Sequence, residues 1–336
     1  LHEHAAGERC LSTEGISVIE STEARNRASL TPRFMLQLAA PHTWPASIFP
    51  VLLAVCFALM TGGLRGTGSI SAVMAVVLLL ICVLLQSAVN TVNDYFDYAK
   101  GTDTAENQAD PSDAVLVYND IDPKSALWYA IALIAVAFLL GGYCIWCAGW
   151  IPLAIALVGV LVIFLYSGGR TPISYLPLGE AVSGFTMGGL ITLASYYCLT
   201  LRFDVLVLAW SIPLMLGISL IMLTNNGCDM DKDIEAGRRT LPVLLGRDRM
   251  VRLYHGTIYA WVLCICVIVV AFFTAGTVIL PFMLLAVHPL GRALLGNPLT
   301  PQTRAAAFAQ CTSLNIALGA FYAAAVAVGG FSIALI

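Results

Sequence analysis

The stretch Asn90-Thr-Val-Asn93-Asp94-Tyr-Phe-Asp97-Tyr-Ala-Lys100-Gly-Thr-Asp103 decides how this chain is read. It closes an apolar run, Ser69 to Val89, and about 20 such residues cross the hydrocarbon core of a bilayer. Asp94 and Asp97 lie three apart, so a continuing helix carries both carboxylates on one face. Two negative charges at the dry end of a span must be paired or hold a cation. A second acidic cluster, Asp229-Met-Asp231-Lys-Asp233, follows the apolar run from Asp204 to Asn226, and Asp229 and Asp233 again share a face. Two carboxylate pairs, each at the mouth of a span, point to a shared divalent-metal site.

Composition agrees with a membrane setting. Of 336 residues, 59% are hydrophobic and 11% charged, with a mean hydropathy of +0.85, whereas soluble domains carry roughly 25% charged residues. The net charge of −3 gives no basic surface for nucleic acid. The ten cysteines are scattered, most of them inside apolar runs. Cys144 and Cys147 form a C-x-x-C with no second ligand pair, which reads as small apolar packing and not as a redox or zinc motif. Residues 1–33 are polar, hold five of the twenty acids and show no signal-peptide core; they are expected to form a mobile tail ahead of a membrane domain at 34–336.

Charge-free runs place the spans at Phe34–Leu64, Ser69–Asn93, two within Ser125–Gly169, Leu178–Leu201, Val205–Asn226, two within Leu253–Gly291, and Ala305–Ile336. The expected fold is therefore all-α, with about nine transmembrane helices around a central cavity. On that count fifteen basic residues share a side with the amino terminus and two, Arg65 and Arg202, lie opposite. The positive-inside bias makes the first side cytoplasmic, in a multi-pass protein of the cell membrane. Thirteen of the twenty acids fall in two connections on that side, and the repeated span–acid–loop order looks like a weak internal duplication.

Carboxylates without nearby His or Cys suit hard cations, and Mg²⁺ in particular is held by a few carboxylates plus substrate phosphate. Lys100, Arg170, Arg238 and Arg239 lie at the same membrane face, and such groups beside Mg²⁺ grip a diphosphate. Acids, bases and an apolar interior together describe an amphiphilic diphosphate, of which an isoprenyl diphosphate is one. For Glu106, Asp110, Asp113, Asp120 and Asp122 a solvated surface is the stronger reading. Asp231 and Glu235 stand between the two, and the Gly-rich segment Tyr166-Ser-Gly-Gly169-Arg170 is either a turn or a phosphate contact.

At these residues a resemblance becomes plain. Asn93-Asp94-x-x-Asp97 and Asp229-x-x-x-Asp233 resemble the two signature motifs of the UbiA-type intramembrane prenyltransferases. Gln86-x-x-x-Asn90-x-x-Asn93-Asp94-Tyr-Phe-Asp97-Tyr-x-Lys100-Gly-x-Asp103 looks like the branch that prenylates 1,4-dihydroxy-2-naphthoate in menaquinone biosynthesis. So do Tyr166-Ser-Gly-Gly169 with Leu178-Gly179-Glu180, and Asn225-Asn226-x-x-Asp229 with Gly237-Arg-Arg-Thr240. Two departures stand out. Gly101 occupies a position where many relatives carry a third aspartate, with Asp103 nearby, and the Gly-Pro-x-Arg segment common after the first motif is absent.

The resemblance implies transfer of a polyprenyl chain from its diphosphate to an aromatic acceptor. Two Mg²⁺ ions would bridge the diphosphate, one on Asn93, Asp94 and Asp97, the other on Asp229 and Asp233. Lys100, Arg170, Arg238 and Arg239 would clamp phosphate, and Asn90 and Asn226 would line the substrate site. Tyr98 and Tyr166 would shield the allylic cation, although an interfacial aromatic belt explains tyrosines equally well. Asp103 is the candidate for the acceptor proton. The rival of another class is a divalent-cation transporter, whose sites lie near the bilayer midplane and not beside arginines at helix ends.

Overall fold

The computed structural model describes residues 28–100, 115–167 and 172–333. They are almost wholly helical, with one isolated bridge between Ala28 and Ile121. In chain order the helices are α1 (Pro32–Ala39), α2 (Pro45–Met60), α3 (Ala72–Lys100), α4 (Val115–Asn119), α5 (Pro123–Ala148) and α6 (Ile151–Ser167). There follow α7 (Gly179–Thr200), α8 (Ile212–Cys228), α9 (Met230–Glu235), α10 (Leu241–Leu245), α11 (Arg247–Phe272), α12 (Leu280–Leu295) and α13 (Arg304–Ile333).

Proline in the first turn opens many of these helices, because its missing N–H is one the helix would not use. Asp122 caps α5 by accepting from Lys124 N and Ser125 N at 3.3 and 3.2 Å, and Gly149 ends it at φ 78°. Seven helices are long and apolar enough to cross a membrane: α2, α3, α5, α7, α11, α12 and α13, with their flanking turns. Two of the expected spans take a shorter form among the described residues. The fourth is α6, apolar over Ile151–Val162, and the sixth is α8, Ile212–Cys228, preceded by a separate turn over Leu206–Trp210. Ser211 and Pro213 divide that run, since proline cannot continue an existing helix.

Many hydroxyls inside the spans are satisfied within their own helix, as a bilayer favours. Thr91, Thr200, Ser211, Thr224 and Ser313 each donate to the carbonyl four residues back. Large apolar side chains face outward instead: Phe138, Leu139 and Leu285 are among the most exposed. On α5 the exposed Trp128 and Trp146 stand eighteen residues apart, about 27 Å along a helix axis, the thickness of a hydrocarbon core bounded by two aromatic belts.

α8 lies at the centre, packed on α7, α11 and α13. α7 reaches it through a π-helical turn, Gly184–Leu190. A Cβ on Gly188 would come within 2.6 Å of Met215 N, and one on Gly184 within 2.5 Å of Met215 O. Only glycine allows two backbones to approach so closely. Gly188→Ala is expected to lower stability by about 1–3 kcal/mol, the usual cost of overpacking, read as an earlier thermal unfolding transition in detergent.

Candidate active site

The site grows from the ends of α3 and α8. On α3, Asn90 Nδ2 donates to Ala39 O and Thr43 Oγ1 at 3.0 and 2.8 Å. Gln86 Nε2 donates to the same Thr43 Oγ1 and to Asn90 Oδ1, both at 3.3 Å. These amides tie α3 to the turn between α1 and α2. Asp94, only 8% exposed, accepts from Val115 N at 3.0 Å and Leu116 N at 3.4 Å. Its carboxylate is therefore the N-terminal cap of α4, where free amides and the helix dipole favour a negative charge. Asn93 is exposed. Tyr98 is half-buried against the small cluster of Leu38, Val115, Leu116 and Ile121. Asp97 and Lys100 lie in the last turn of α3, and their side chains fall outside the described residues, as do Asp103 and Arg170 altogether.

On the other side, Asp229 ends α8 and Asp233 follows one turn later on α9, with Asp233 N donating to Asp229 O at 2.8 Å. Asp233 is 4% exposed. Its Oδ2 accepts from Thr240 Oγ1 at 3.0 Å, and Arg238 Nη1 lies 3.5 Å from Oδ1. Burial pushes its carboxyl above the ordinary value, with Thr240 and Arg238 pulling it back and the charge of Asp229 adding to the rise. Gly237 at φ 69° supplies the turn that folds Arg238 back. The Arg238 guanidinium also lies over the Tyr175 ring, 5.0 Å from its centroid. Arg239 is exposed, and its N–H donates to Tyr175 O at 2.9 Å.

Three further residues belong here: Arg304 and Arg247, which the motifs did not bring forward, and Glu180, which entered only within Leu178-Gly179-Glu180 and with no role. Arg304, the first residue of α13, places Nε 3.3 Å from Asp229 Oδ2 and Nη2 2.8 Å from Asn225 Oδ1. Arg247, the first residue of α11, donates to Gly227 O at 2.9 Å. Glu180, in the first turn of α7, accepts from Asn226 Nδ2 at 2.9 Å. The signal for Glu180 was its isolation as the single acid between Leu178 and Leu201. Arg304 and Arg247 were visible only as members of the basic side.

The structure thus brings Asp229, Asp233, Arg238, Arg304, Asn226 and Glu180 to one end of α8. Its donors are oxygens, which suit a hard cation. The two guanidiniums stand 3.3 and 3.5 Å from the aspartates. Among the described residues no three His, Cys, Asp or Glu side chains converge as a ready cage.

The sequence profile of the UbiA prenyltransferase family matches residues 47–319. The chain belongs to that family. It is similar to a 1,4-dihydroxy-2-naphthoate octaprenyltransferase of Bacillus subtilis, at 34% identity over 68% of this chain and 72% of the relative. It is also similar to the UbiA prenyltransferase domain-containing protein 1 of Homo sapiens, at 29% identity over 84% and 80% of the two chains. Among solved structures, a UbiA homologue from Archaeoglobus fulgidus bound to GPP and Mg²⁺ superposes with a TM-score of 0.57 over 86% of this chain and 99% of that one, at 17% identity. The fold is accordingly that of UbiA homologues, and the protein is a membrane prenyltransferase.

The cap on α4 yields a test separate from catalysis. Asp94→Ala should cost about 1 kcal/mol of stability, the usual value of a lost cap, and Asp94→Asn, which still accepts, should recover most of it in denaturation monitored by circular dichroism.

Proposed function

We propose that this protein transfers a polyprenyl chain from its diphosphate to 1,4-dihydroxy-2-naphthoate, with loss of the acceptor's carboxylate, at the inner face of the cell membrane. The observation that carries the reaction is the Asp229–Asp233 pair, flanked by Arg238 and Arg304, at the mouth of an apolar helix. The acceptor rests on the Bacillus subtilis relative and on the Gln86–Asp103 pattern. The solved homologue that holds GPP and Mg²⁺ supports the donor class and the metal.

In this reading Asp229 and Asp233 hold one Mg²⁺, and Asn93, Asp94 and Asp97 hold a second. Held by these residues, Mg²⁺ would supply positive charge to offset that building on the departing diphosphate. Arg238 and Arg304, already facing the aspartates at 3.5 and 3.3 Å, turn toward the phosphate oxygens. Arg239, Arg170 and Lys100 extend the clamp along the same face. Asn90 holds the wall between α3 and the α1–α2 turn, Asn226 lines the floor, and Tyr98 and Tyr166 bring aromatic rings to the cation. Asp103 lies just beyond α3 and is assigned to the acceptor side.

Asp233→Ala and Asp97→Ala are each expected to abolish turnover, with the protein still inserted in membranes. Mg²⁺-dependent product formation in either variant contradicts the two-metal assignment. The acceptor has its own check. Membranes containing the protein, given a prenyl diphosphate and carboxyl-labelled naphthoate, should release labelled carbon dioxide in step with diphosphate, whereas 4-hydroxybenzoate should be a poor substrate. A preference for hydroxybenzoate with no label lost from naphthoate moves the chain to another branch of the same family.

A further inference from the structure

Glu180 is the buried acid that the metal sites do not use. It is 4% exposed, and only one of its carboxylate oxygens is answered: Oε1 accepts from Asn226 Nδ2 at 2.9 Å, while Oε2 has no hydrogen-bond partner among the described residues. A buried carboxylate oxygen left bare costs several kcal/mol, and proteins retain such groups mainly where a ligand supplies the missing bond. The position is held firmly. Ser219 Oγ donates to Glu180 O at 2.9 Å, and the glycine contacts of α7 fix it on α8.

Depth gives the oxygen its meaning. Asn226 precedes Asp229 by three residues on α8, about 4.5 Å along the axis, toward the apolar interior. If diphosphate sits at Asp229 and Asp233, its tail enters the membrane past Asn226, and the carbon that leaves the phosphate lies at the level of Glu180. A carboxylate there faces the reacting carbon and not the phosphate. The Tyr166 hydroxyl lies 3.3 Å from where a Cβ on Gly179, the residue before Glu180, would be. Glycine at that position lets the ring close over the first turn of α7.

We propose that Glu180 Oε2 receives a hydroxyl of the aromatic acceptor and takes its proton as the ring is prenylated. The inference rests on the aromatic-acceptor reading above. As the O–H proton passes to Oε2, the oxygen's electrons move into the ring and a ring carbon forms the new bond to the allylic carbon. The allylic C–O bond breaks, its electron pair leaving with diphosphate. The acceptor's carboxylate then departs as carbon dioxide, the electrons of its C–C bond restore the aromatic ring, and the hydroxyl regains its proton from Glu180. No proton is gained or lost overall, and no oxidant is needed. Asn226 is a positioning residue, orienting the carboxylate through Oε1.

The test compares the full chain with Glu180→Gln, which can still accept from Asn226 but cannot take a proton. The readouts are prenylation of 1,4-dihydroxy-2-naphthoate and Mg²⁺-dependent binding of an unreactive prenyl thiolodiphosphate. The expected result is a loss in kcat of about a hundredfold or more, in the range of a missing general base, with thiolodiphosphate affinity within twofold of the parent. The residual rate should climb with pH as the acceptor hydroxyl ionises in solution, a slope the parent lacks. A kcat within threefold of the parent overturns the proposal. So does a loss of thiolodiphosphate affinity that matches the loss of turnover, which would put Glu180 in the diphosphate site. Should the variant fail to fold, the parent still decides the matter with the two monomethyl ethers of the acceptor. Blocking the hydroxyl that Glu180 receives should abolish prenylation, and equal rates for both ethers and the diol overturn the proposal. A parent that prenylates no hydroxylated aromatic acid fails the earlier reading instead, so the two failures are distinguishable.

Discussion

The cost of carrying carboxylates to the buried end of a membrane helix organises this protein. An isolated charge there is expensive, and the neighbours of α8 begin where they can answer it. α13 starts at Arg304, against Asp229. α11 starts at Arg247, whose guanidinium takes the Gly227 carbonyl left open at the α8 terminus. The turn between α9 and α10 folds back through Gly237 so that Arg238 and Thr240 meet Asp233. α7 starts one residue before Glu180, which receives the Asn226 amide. Four elements thus converge on one helix end through polar contacts, and their apolar lengths then pack outward from it.

The two acidic ends solve the same problem differently. At α8 the carboxylates meet guanidiniums carried on long side chains, Arg304 at 3.3 Å and Arg238 at 3.5 Å. At α3 the Asp94 carboxylate meets backbone amides of α4, which cannot move without undoing the helix. The first end is braced further by Gln86, Asn90 and Thr43. The α3 end is consequently fixed by main-chain contacts, while the α8 end is held by side-chain charges. That asymmetry suits a reaction in which a highly charged group first arrives and then leaves.

Much of this was legible in the sequence because membrane spans are written in long runs without charge. The boundaries at Pro45, Pro123 and Gly149 follow from residues that start or stop helices in any context. The paired aspartates announced themselves by recurrence at span ends. What escaped was long in sequence or set by packing. Arg304 stands 75 residues from Asp229, and nothing local links them. The Asp94 cap depends on where the chain returns at Val115. The π-helical turn at Gly184–Leu190 arises from the closeness of Met215, which no periodicity in that segment encodes. Glu180 was conspicuous as a lone acid, yet its half-satisfied state exists only once Asn226 is beside it.

The opposite end of the bundle explains why the chemistry is confined to one side. There the rings of Phe57, Trp210 and Phe273 meet with centroids 5.0 to 5.9 Å apart, and Tyr322 Oη donates to Trp210 O at 2.7 Å. Thr61 and Tyr196 share a hydroxyl contact at 2.9 Å, and Arg202 reaches the Thr61 carbonyl. Such ring packing leaves little room for water, and the polar groups near it are spent on one another. A hydrocarbon tail loses nothing by pointing toward that end, since burying apolar area is favourable by about 25 cal/mol per Å². α8 is thus polar at one end and aromatic at the other, and on the proposed function that polarity would orient a prenyl diphosphate, its headgroup toward Asp229, Asp233, Arg238 and Arg304 and its tail toward the aromatic end.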